Sequence, residues 1–323
     1  MRLWIERGFS RLPIAERMLA ADPTLELFTS PSQTPLGATP LVMPQLPPEE
    51  RIAGLNAIIA ERRIDAFWPQ RAAAKSLDGL ACVVHASTTP GNIALVDDKE
   101  AFMTWLGDDP YRPDQVEVLG ADGVEREYSQ RHAEGRTVCV KPVIGVNGNG
   151  YWKLTAENGS AFLDDPEPRE IGASIWITAM RAAERDRNPR RLLVMDWLPG
   201  PEVSLDILCW NGVPLSHAAR TKLDANHQRI ESEHSVVGHA TSVARLLGLH
   251  GIVSMQYRLD ENGAWRMLEV NPRPAGGSIH SEDAGFGLIT DWTHLVTGKI
   301  GPDDVKQHHA AHTVKFVRTA NII

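Results

Sequence analysis

The sequence predicts an α/β protein that opens with a small parallel β-sheet. Three extended runs, "RLWIERG", "LELFTS" and "IDAFWPQ", alternate with two runs in which apolar residues recur at helical spacing. Strand, helix, strand, helix, strand is the order of a parallel sheet with crossover helices. The 323 residues, 42% hydrophobic and 23% charged, suffice for two or three globular domains. We therefore predict that residues 1–95 form an open α/β domain.

The two helices of this domain have recognisable starts. The first follows Ser10 or Arg11 and carries a proline close to its beginning, and the second follows Pro47 and Pro48. After the first strand, only Gly8 is present where a dinucleotide-binding fingerprint needs three glycines. A classical nicotinamide site is therefore not expected in this domain.

Charge and composition narrow the class of protein. The net charge of −8 argues against a general nucleic-acid binder and favours small-molecule chemistry. There is no apolar run of transmembrane length, and Glu6, Arg7 and Arg11 interrupt the N-terminal apolar stretch, so we expect a cytoplasmic protein without membrane contact. The cysteines are odd in number, far apart and set in apolar runs, which indicates buried, reduced thiols. They are Cys82, Cys139 and Cys209.

A lysine occupies an unusual position in the next segment, "NIALVDDKEAFMTWLGDD". Asp97 or Asp98 is suited to cap a helix that runs through Phe102 and Leu106. Lys99 then falls in the first turn, where the helix dipole disfavours a cation. Lys99 either neutralises a nearby anion or is a solvated surface lysine.

A glycine-rich turn follows a buried strand in "RTVCVKPVIGVNGNGYWKL". Val138 to Val140 form the strand and Lys141 stands at its end. The loop before the strand "YWKL" contains Gly145, Asn147, Gly148, Asn149 and Gly150. Its glycines allow backbone N–H groups to approach phosphate oxygens closely, although a plain hairpin turn would have the same residues. The P-loop pattern does not occur in the chain.

The segment "RLLVMDWLPGPEVSLDILCW" predicts two strands around a Pro-Gly-Pro turn. The first ends at Asp196 and Trp197, and the second carries Glu202 and Asp206. The turn could serve as a hinge. Farther on, "HAARTKLD" places Arg220 and Lys222 on one face if the segment is extended.

A polar pair stands at the end of an apolar strand in "WRMLEVNPRPAGG". Glu269 and Asn271 are two residues apart, so they point to the same face and offer the oxygen ligands that Mg²⁺ prefers. Asn262-Gly263 predicts a hairpin, and a loop of two or four residues places Gln256 on that face as well. The alternative is a solvated hairpin face.

These segments, in this order, resemble the ATP-grasp superfamily. The matching motifs span about residues 95–290, and "EVNPRPAGG" is the most specific of them. The resemblance implies a two-lobed fold with a mobile lid after the N-terminal domain. Its parts would be a lid or small subdomain at 96–197 and a C-terminal subdomain with the metal site at 198–323.

The family resemblance also implies roles for individual residues. The cofactors would be ATP and Mg²⁺, with Mn²⁺ as an alternative. The phosphate contacts would be Lys99, Lys141 and a lid loop with Gly145, Gly148 and Gly150. The adenine contacts would be backbone groups near Asp196 and Trp197, and the ribose contact would be Glu202. The metal ligands would be Gln256, Glu269 and Asn271. Gln256 departs from the carboxylate frequent in the family and matches the carbamoyl-phosphate synthetase branch.

The reaction implied is ligation of a carboxylate to an amine through an acyl phosphate. Arg273 would stabilise the transferred phosphoryl group, with Lys141 nearby, and Arg220 would assist it or bind the substrate carboxylate. Lys222 and the backbone N–H groups of Gly276, Gly277 and Ser278 are further substrate contacts. The alternatives to a ligase are a kinase-like or carbamoyl-phosphate-type enzyme and a nucleotide-binding regulator. The sequence is also compatible with a homodimer.

The histidines leave two questions. His308 and His312 could hold a transition metal if they lay one helical turn apart, but we favour a solvated helix end for them and for His309. His227 and His234 could contact substrate or act as a base, although we prefer a plain loop.

Overall fold

The computed structural model describes residues 1–6, 11–43, 45–69, 77–145, 148–156, 163, 165–166, 168–224 and 226–315. The predictions for Gly8, Ser10 and Asn147 lie outside these residues. The chain divides into two compact units. The first unit comprises Met1–Ala94, Pro201–Tyr257 and Glu269–Ile323, and the second comprises Leu95–Gly200 and Arg258–Leu268.

The structure is mixed α/β, as predicted. The strands are β1 (Arg2–Ile5), β2 (Glu26–Thr29), β3 (Thr39–Pro40), β4 (Ala66–Trp68), β5 (Val83–Val84), β6 (Gln115–Leu119), β7 (Val138–Pro142), β8 (Trp152–Thr155), β9 (Glu170–Gly172), β10 (Arg191–Asp196), β11 (Glu202–Trp210), β12 (Val213–Lys222), β13 (His227–Glu231), β14 (Gly251–Leu259), β15 (Trp265–Asn271) and β16 (Ala311–Lys315). The α-helices are α1 (Arg11–Ala21), α2 (Arg51–Arg62), α3 (Pro90–Asp97), α4 (Lys99–Leu106), α5 (Gly120–Ala133), α6 (Ala173–Glu184), α7 (Val237–Leu246), α8 (Ser278–Asp283) and α9 (Leu288–Val296). Short 3-10 turns cover Pro31–Gln33 and Pro302–Asp304.

The N-terminal sheet confirms the predicted parallel arrangement. Its order is β3-β2-β1-β4-β5, and every pair in it is parallel. Leu3 packs in the same core as Ile14 of α1, whereas Trp4 packs in the core that contains Leu55 and Ile59 of α2. Helices cover both faces, which explains why these strands are apolar throughout.

The region around Lys99 contains two helices instead of the single predicted one. α3 begins at Pro90, a residue suited to the first helical position, and this helix was missed. Asp98 then caps α4, which begins at Lys99 as expected. Its side chain accepts hydrogen bonds from the backbone N–H groups of Glu100 and Ala101 at 3.1 and 3.0 Å.

The second unit is built on a five-stranded sheet in the order β6-β10-β7-β8-β9. β10 lies between β6 and β7 and is antiparallel to both. Helices α5 and α6 supply apolar residues to its core, including Val124, Trp176 and Ile177. The Glu184 carboxylate accepts from Ala121 N–H at the start of α5, a place where the helix dipole favours negative charge.

The third sheet has six strands in the order β15-β14-β11-β12-β13-β16. The hairpin of β14 and β15 exists, but its predicted loop length is wrong. Asp260 N–H donates to Ala264 O at 2.9 Å, and Gly263 N–H donates to Asp260 O at 3.2 Å. The loop therefore has three residues and ends on Gly263 with φ 77°, as three-residue hairpins require. Because Asp260 lies opposite Ala264, the register predicted for Gln256 is wrong at this turn.

A buried pair of histidines lies among tryptophans in the first unit. His85 Nδ1 and His250 Nε2 are 3.0 Å apart, and the rings stack at 5.3 Å. Asn211 N–H donates to His250 Nδ1 at 3.0 Å, so His250 carries its proton on Nε2 and donates it to His85. Trp210 and Trp292 pack against both rings. Both histidines are therefore neutral in the folded protein.

This pair predicts that stability falls on acidification. Burial lowers the pKa of His85 and of His250 from 6.5 to about 4, and for His250 the neighbouring His85 adds to the effect. Between pH 6.5 and 4 the unfolded chain binds protons that the folded chain does not, so the free energy of unfolding falls, by up to about 3 kcal/mol per histidine. Urea denaturation at pH 7, 5.5 and 4.5 measures the slope of the free energy of unfolding against pH. His85→Phe should reduce that slope and His309→Phe, at an exposed site, should not; equal slopes in both variants would contradict the assignment.

The C-terminal histidines do not lie at a helix end, so that expectation was wrong. His308 and His309 precede β16, and His312 lies within it, opposite Ile230 of β13. β16 is an exposed edge strand. Along an extended chain, residues four apart are separated by about 13 Å, whereas one helical turn would bring them close enough to share a metal ion. Likewise His227 begins strand β13 instead of lying in a plain loop, and its ring bonds Asp224 at 2.9 Å.

Two further predictions concern cysteines and membranes. Cys139 and Cys209 are buried free thiols, whereas Cys82 is only partly buried, so the expectation of burial fails there. In the ranges that the structure describes, no helix combines the length and apolar character needed to cross a membrane.

Candidate nucleotide and metal site

Lys99 lies against the glycine-rich loop of the second unit. Its Nζ donates to the backbone carbonyl of Gly145 at 2.9 Å, and its backbone N–H donates to Val143 O at 3.2 Å. The Asp98 cap fixes the start of α4 and hence the position of Lys99. Burial alone would raise the pKa of Asp98, but hydrogen bonds from Ala101 N–H and from Arg191, at 2.7 Å, outweigh burial and lower it below 3.8.

Lys141 is half-buried on the central part of the same sheet. It lies on β7 opposite Leu193 of β10, and it shares a face with Cys139 two residues earlier. Burial raises the pKa of the Cys139 thiol to about 11 in spite of the positive charge of Lys141. The thiol therefore stays neutral. Lys141 shares this face with Lys153, which pairs with Cys139 across β7 and β8.

The glycine loop requires glycine at two of its three predicted positions. Gly148 and Gly150 have φ values of 64° and 79°, which residues with a side chain rarely adopt. A Cβ on Gly150 would lie 2.8 Å from the Pro142 ring, and one on Gly148 would lie 2.8 Å from Arg169. Gly145 has room, with its nearest contacts at 3.7 Å. Residues 146–147 lie outside the described part of the loop.

Gly150→Ala is expected to lower the free energy of unfolding by about 1–2 kcal/mol, because alanine is strained at positive φ and the Pro142 ring cannot rotate away. Gly145→Ala in the same loop is the matched control and should change stability by less than about 0.5 kcal/mol. Urea denaturation compares the two variants with the parent chain. Equal stabilities would contradict a positive φ at Gly150 packed against the Pro142 ring.

The side chain of Asp196 takes part in an ion cluster at the end of β10. It accepts from the buried Arg131 at 3.0 Å, and Arg136 bonds both Asp196 and Asp114. Arg131 also bonds Asp114 at 3.2 Å. The Asp196 carboxylate is therefore neutralised within its own unit, which leaves backbone groups as the polar atoms that this strand end can offer a ligand.

Only some of the backbone groups that follow Asp196 are available to hydrogen-bond a ligand. Trp197 N–H donates to Thr137 O at 2.8 Å. Leu198 N–H bonds no residue among those described, although Leu198 is buried. Lys153 Nζ lies 3.8 Å from the centroid of the Trp197 ring, a cation–π contact. The surrounding apolar cluster consists of Cys139, Tyr151, Met195, Trp197, Leu198 and Leu268. Sequence reasoning did not select Leu198. The only sequence signal for it was its position directly after Asp196 and Trp197, the predicted adenine contacts.

In the first unit, two side chains that were each predicted to contact a ligand form an ion pair with each other. Lys222 Nζ donates to Glu202 Oε1 at 2.6 Å across the β11 and β12 pair. The pairing also sets Ser204 opposite Arg220, which confirms that Arg220 and Lys222 share one face. The half-exposed Lys222 is neutralised by a partly buried carboxylate, so the roles predicted for Glu202 and Lys222 are coupled.

Arg220 is buried and binds Asp206, which is completely buried. Arg220 Nε and Nη2 donate to the two oxygens of Asp206 at 2.6 and 3.1 Å. Ser278 and Ser281 donate their hydroxyls to the same carboxylate at 2.9 and 3.0 Å. Asp206 was not among the predicted site residues, and its only sequence signal was an acid within the apolar strand "EVSLDILCW".

Glu269 and Asn271 contact each other, as the strand period predicts. Asn271 Nδ2 donates to Glu269 Oε1 at 2.8 Å, and both side chains are half-buried. The amide nitrogen is used in this bond, and Asn271 Oδ1 accepts no hydrogen bond from the part of the chain that the structure describes. Gln256 is partly exposed between the fully buried Met255 and Tyr257.

The loop after β15 is held by its own backbone. Arg273 N–H donates to Asn271 O at 2.7 Å, and Arg273 Nη1 lies 3.5 Å from Pro274 O. Ser278 N–H donates to Ala275 O at 3.1 Å, so this N–H is already used within the loop. Gly276 and Gly277 remain as candidate donors.

The fold that these units define is the ATP-grasp fold, and solved structures support this. The chain is similar to the L-amino acid ligase from Bacillus licheniformis, with a TM-score of 0.60 and 14% identity over 94% of this chain and 77% of that one. D-alanyl-alanine synthetase A from Vibrio cholerae gives a TM-score of 0.60 and 12% identity over 92% and 98%. The biotin carboxylase domain of 2-oxoglutarate carboxylase from Hydrogenobacter thermophilus, in complex with MgADP and bicarbonate, gives 0.58 and 13% over 92% and 69%.

The sequence itself matches a family model over part of its length. Residues 188–320 match the family described as "ATP-grasp in the biosynthetic pathway with Ter operon". A search of curated proteins found no match. The resemblance to the ATP-grasp superfamily is thus confirmed, and the match includes β11, β12, β14 and β15.

Proposed function

We propose that this protein is an ATP- and Mg²⁺-dependent ligase that activates a carboxylate as an acyl phosphate and joins it to an amine. The observation that carries the proposal is the contact between Glu269 and Asn271 directly before a loop held to the buried Asp206. A carboxylate and an amide oxygen side by side suit Mg²⁺. The N–H groups of Gly276 and Gly277 bond no residue in the described ranges, and such a fixed loop suits an anionic acceptor.

The nucleotide side of the proposal rests on the second unit. Lys99 and Lys141 would contact the phosphates, and the loop with Gly145, Gly148 and Gly150 would cover them. The carboxylate of Asp196 is occupied by arginines, so backbone groups would bind the adenine edge. Because Trp197 N–H is also occupied, Leu198 N–H is the donor we assign to the base. The apolar cluster around Leu198 would exclude water from the ring.

The metal side of the proposal rests on the first unit, where the donor set fits Mg²⁺. Glu269 supplies a carboxylate, and Asn271 supplies an amide oxygen that its contact with Glu269 leaves available. Gln256 is the third proposed ligand, and it rests on the family resemblance because the hairpin turn does not pair as predicted. Three oxygen ligands suit a hard cation, with Mn²⁺ as an alternative. Bound Mg²⁺ would supply charge neutralisation at the phosphates.

The proposed reaction has two steps, formation of an acyl phosphate and its attack by the amine. A carboxylate oxygen of the acid attacks the γ-phosphorus and ADP leaves, which gives an acyl phosphate. The amine then attacks the acyl carbon, phosphate leaves, and a proton is released as the amide forms. Arg273 would stabilise the transferred phosphoryl group, and the N–H groups of Gly276 and Gly277 would orient the acid. Two of the similar structures are named as an L-amino acid ligase and a D-alanyl-alanine synthetase, which favours amino-acid-like substrates.

The test is ADP release by the purified protein with ATP and Mg²⁺, measured against pools of carboxylic acids with and without amines. Release that requires both an acid and an amine supports the ligase. Release with an acid or bicarbonate alone contradicts it and favours a kinase-like or carbamoyl-phosphate-type reaction. Binding of ATP without release from any pool contradicts turnover and favours a nucleotide-binding regulator.

A further inference from the structure

Asp206 is the centre of a buried polar cluster in the first unit. Its two carboxylate oxygens accept four hydrogen bonds, two from Arg220, one from Ser278 and one from Ser281. The side chain of Asp206 is 0% exposed, and that of Arg220 is 4% exposed. A buried carboxylate is stable only when paired and fully hydrogen-bonded, and this one meets both conditions.

This cluster joins distant parts of the chain. Asp206 lies on β11 and Arg220 on β12, whereas Ser278 and Ser281 belong to α8, directly after the loop with Gly276 and Gly277. The two serine bonds therefore fix the C-terminal end of that loop relative to the central strands of the sheet.

Arg220 has little capacity left to bind a substrate. Nε and Nη2 are used by Asp206, and Nη1 faces Gly277 and lies 3.4 Å from Gln228 Oε1. A Cβ on Gly277 would lie 2.2 Å from Nη1 and 2.9 Å from Cζ of Arg220. Gly277 has an ordinary right-handed backbone conformation, with φ −88°. Glycine is therefore required here by the guanidinium and not by backbone strain.

We propose that Asp206 and Arg220 are positioning residues that hold the Gly276-Gly277 loop in place for the acceptor carboxylate, an inference that rests on the proposed ligase function. Arg220 was predicted to assist the phosphoryl group or to bind the substrate carboxylate, whereas the carboxylate that it binds in the fold is that of Asp206. The ion pair acts on the reaction through the loop and does not touch the reacting atoms.

The test compares Asp206→Asn, Gly277→Ala and the control Gly91→Ala. Gly91 is an exposed glycine of the same unit whose added Cβ would meet only Thr89 Oγ1, at 4.0 Å. Asp206→Asn and Gly277→Ala should each lower kcat for ADP release by about tenfold or more, because the acceptor is misplaced. The KM for ATP should stay within about threefold, since the lysines that contact the phosphates are untouched. Gly91→Ala should behave as the parent chain.

Amide hydrogen exchange provides a second readout that does not depend on activity. Residues 272–283 should exchange faster in Asp206→Asn and in Gly277→Ala, while β1 and β7 keep the protection of the parent chain. Unchanged exchange in this segment, or a parent-like kcat in Gly277→Ala, would overturn the proposal. If Asp206→Asn fails to fold, Gly277→Ala decides, because it leaves Asp206 and its three hydrogen-bonding partners unchanged. If the parent chain releases no ADP, the proposed ligase fails, and exchange alone decides whether the cluster holds the loop.

Discussion

Glu269→Gln is expected to abolish Mg²⁺-dependent ADP release, with kcat lowered by a factor of roughly 10³, since a metal-binding carboxylate supplies several kcal/mol of transition-state stabilisation. Glutamine keeps the shape of the side chain and can still accept the hydrogen bond from Asn271. The fold should therefore persist, and the loss should come from the missing negative charge. Initial rates of ADP release over a range of Mg²⁺ concentrations provide the measurement.

The control for this substitution is Glu26→Gln. Glu26 is a carboxylate of the same unit, on β2, and it forms an exposed ion pair with Arg2 at 2.9 Å. The control should keep the parent kcat and the parent dependence on Mg²⁺. Full activity of Glu269→Gln would remove Glu269 from the metal site. Partial activity that recovers at high Mg²⁺ would instead indicate a second carboxylate ligand, and the proposed set of three would then be wrong.

Lys141→Met is expected to weaken ATP binding by about 10- to 100-fold and to slow transfer as well, because a charge-assisted hydrogen bond to phosphate is worth about 1.5–3 kcal/mol. Methionine has a similar length and volume, so the packing of β7 should survive. Titration calorimetry with ATP and Mg²⁺ measures the affinity, and thermal unfolding verifies the fold.

Lys306→Met is the matched control because Lys306 is exposed. It should bind ATP as the parent chain does. If Lys141→Met also retains the parent affinity and rate, the strand with Lys141 does not contact the phosphates. The assignment of Lys99, which rests on the same loop, would then need its own test.

Local patterns were sufficient to predict several elements of the fold. The parallel sheet followed from the alternation of apolar strands with helices, because strands buried on both faces are apolar throughout. The cap at Asp98 followed from a rule that involves only neighbouring residues. The hairpin loop was wrong because Asn-Gly fits both a two-residue turn and a three-residue turn that ends on glycine, and the choice depends on pairing along both strands.

The part of the candidate site that lies on one strand was predictable from the sequence. Glu269 and Asn271 were placed on one face by the period of two, and their side chains do meet. The partner of Arg220 was not predictable, because Asp206 is 14 residues away and Ser278 is 72 residues from Asp206. Sequence reasoning assigned Arg220 to the phosphoryl group or to a substrate carboxylate, and it had no means of finding the carboxylate already present in the fold.

The contact of Gly277 with the Arg220 guanidinium has a consequence for how this sequence can diverge. Loss of Asp206 leaves a buried cation unpaired, and loss of Arg220 leaves a buried anion, each at a cost of several kcal/mol. Replacement of Arg220 by a smaller residue would remove the obstacle to a side chain at 277. Positions 206, 220 and 277 should therefore covary among related sequences and change as a group.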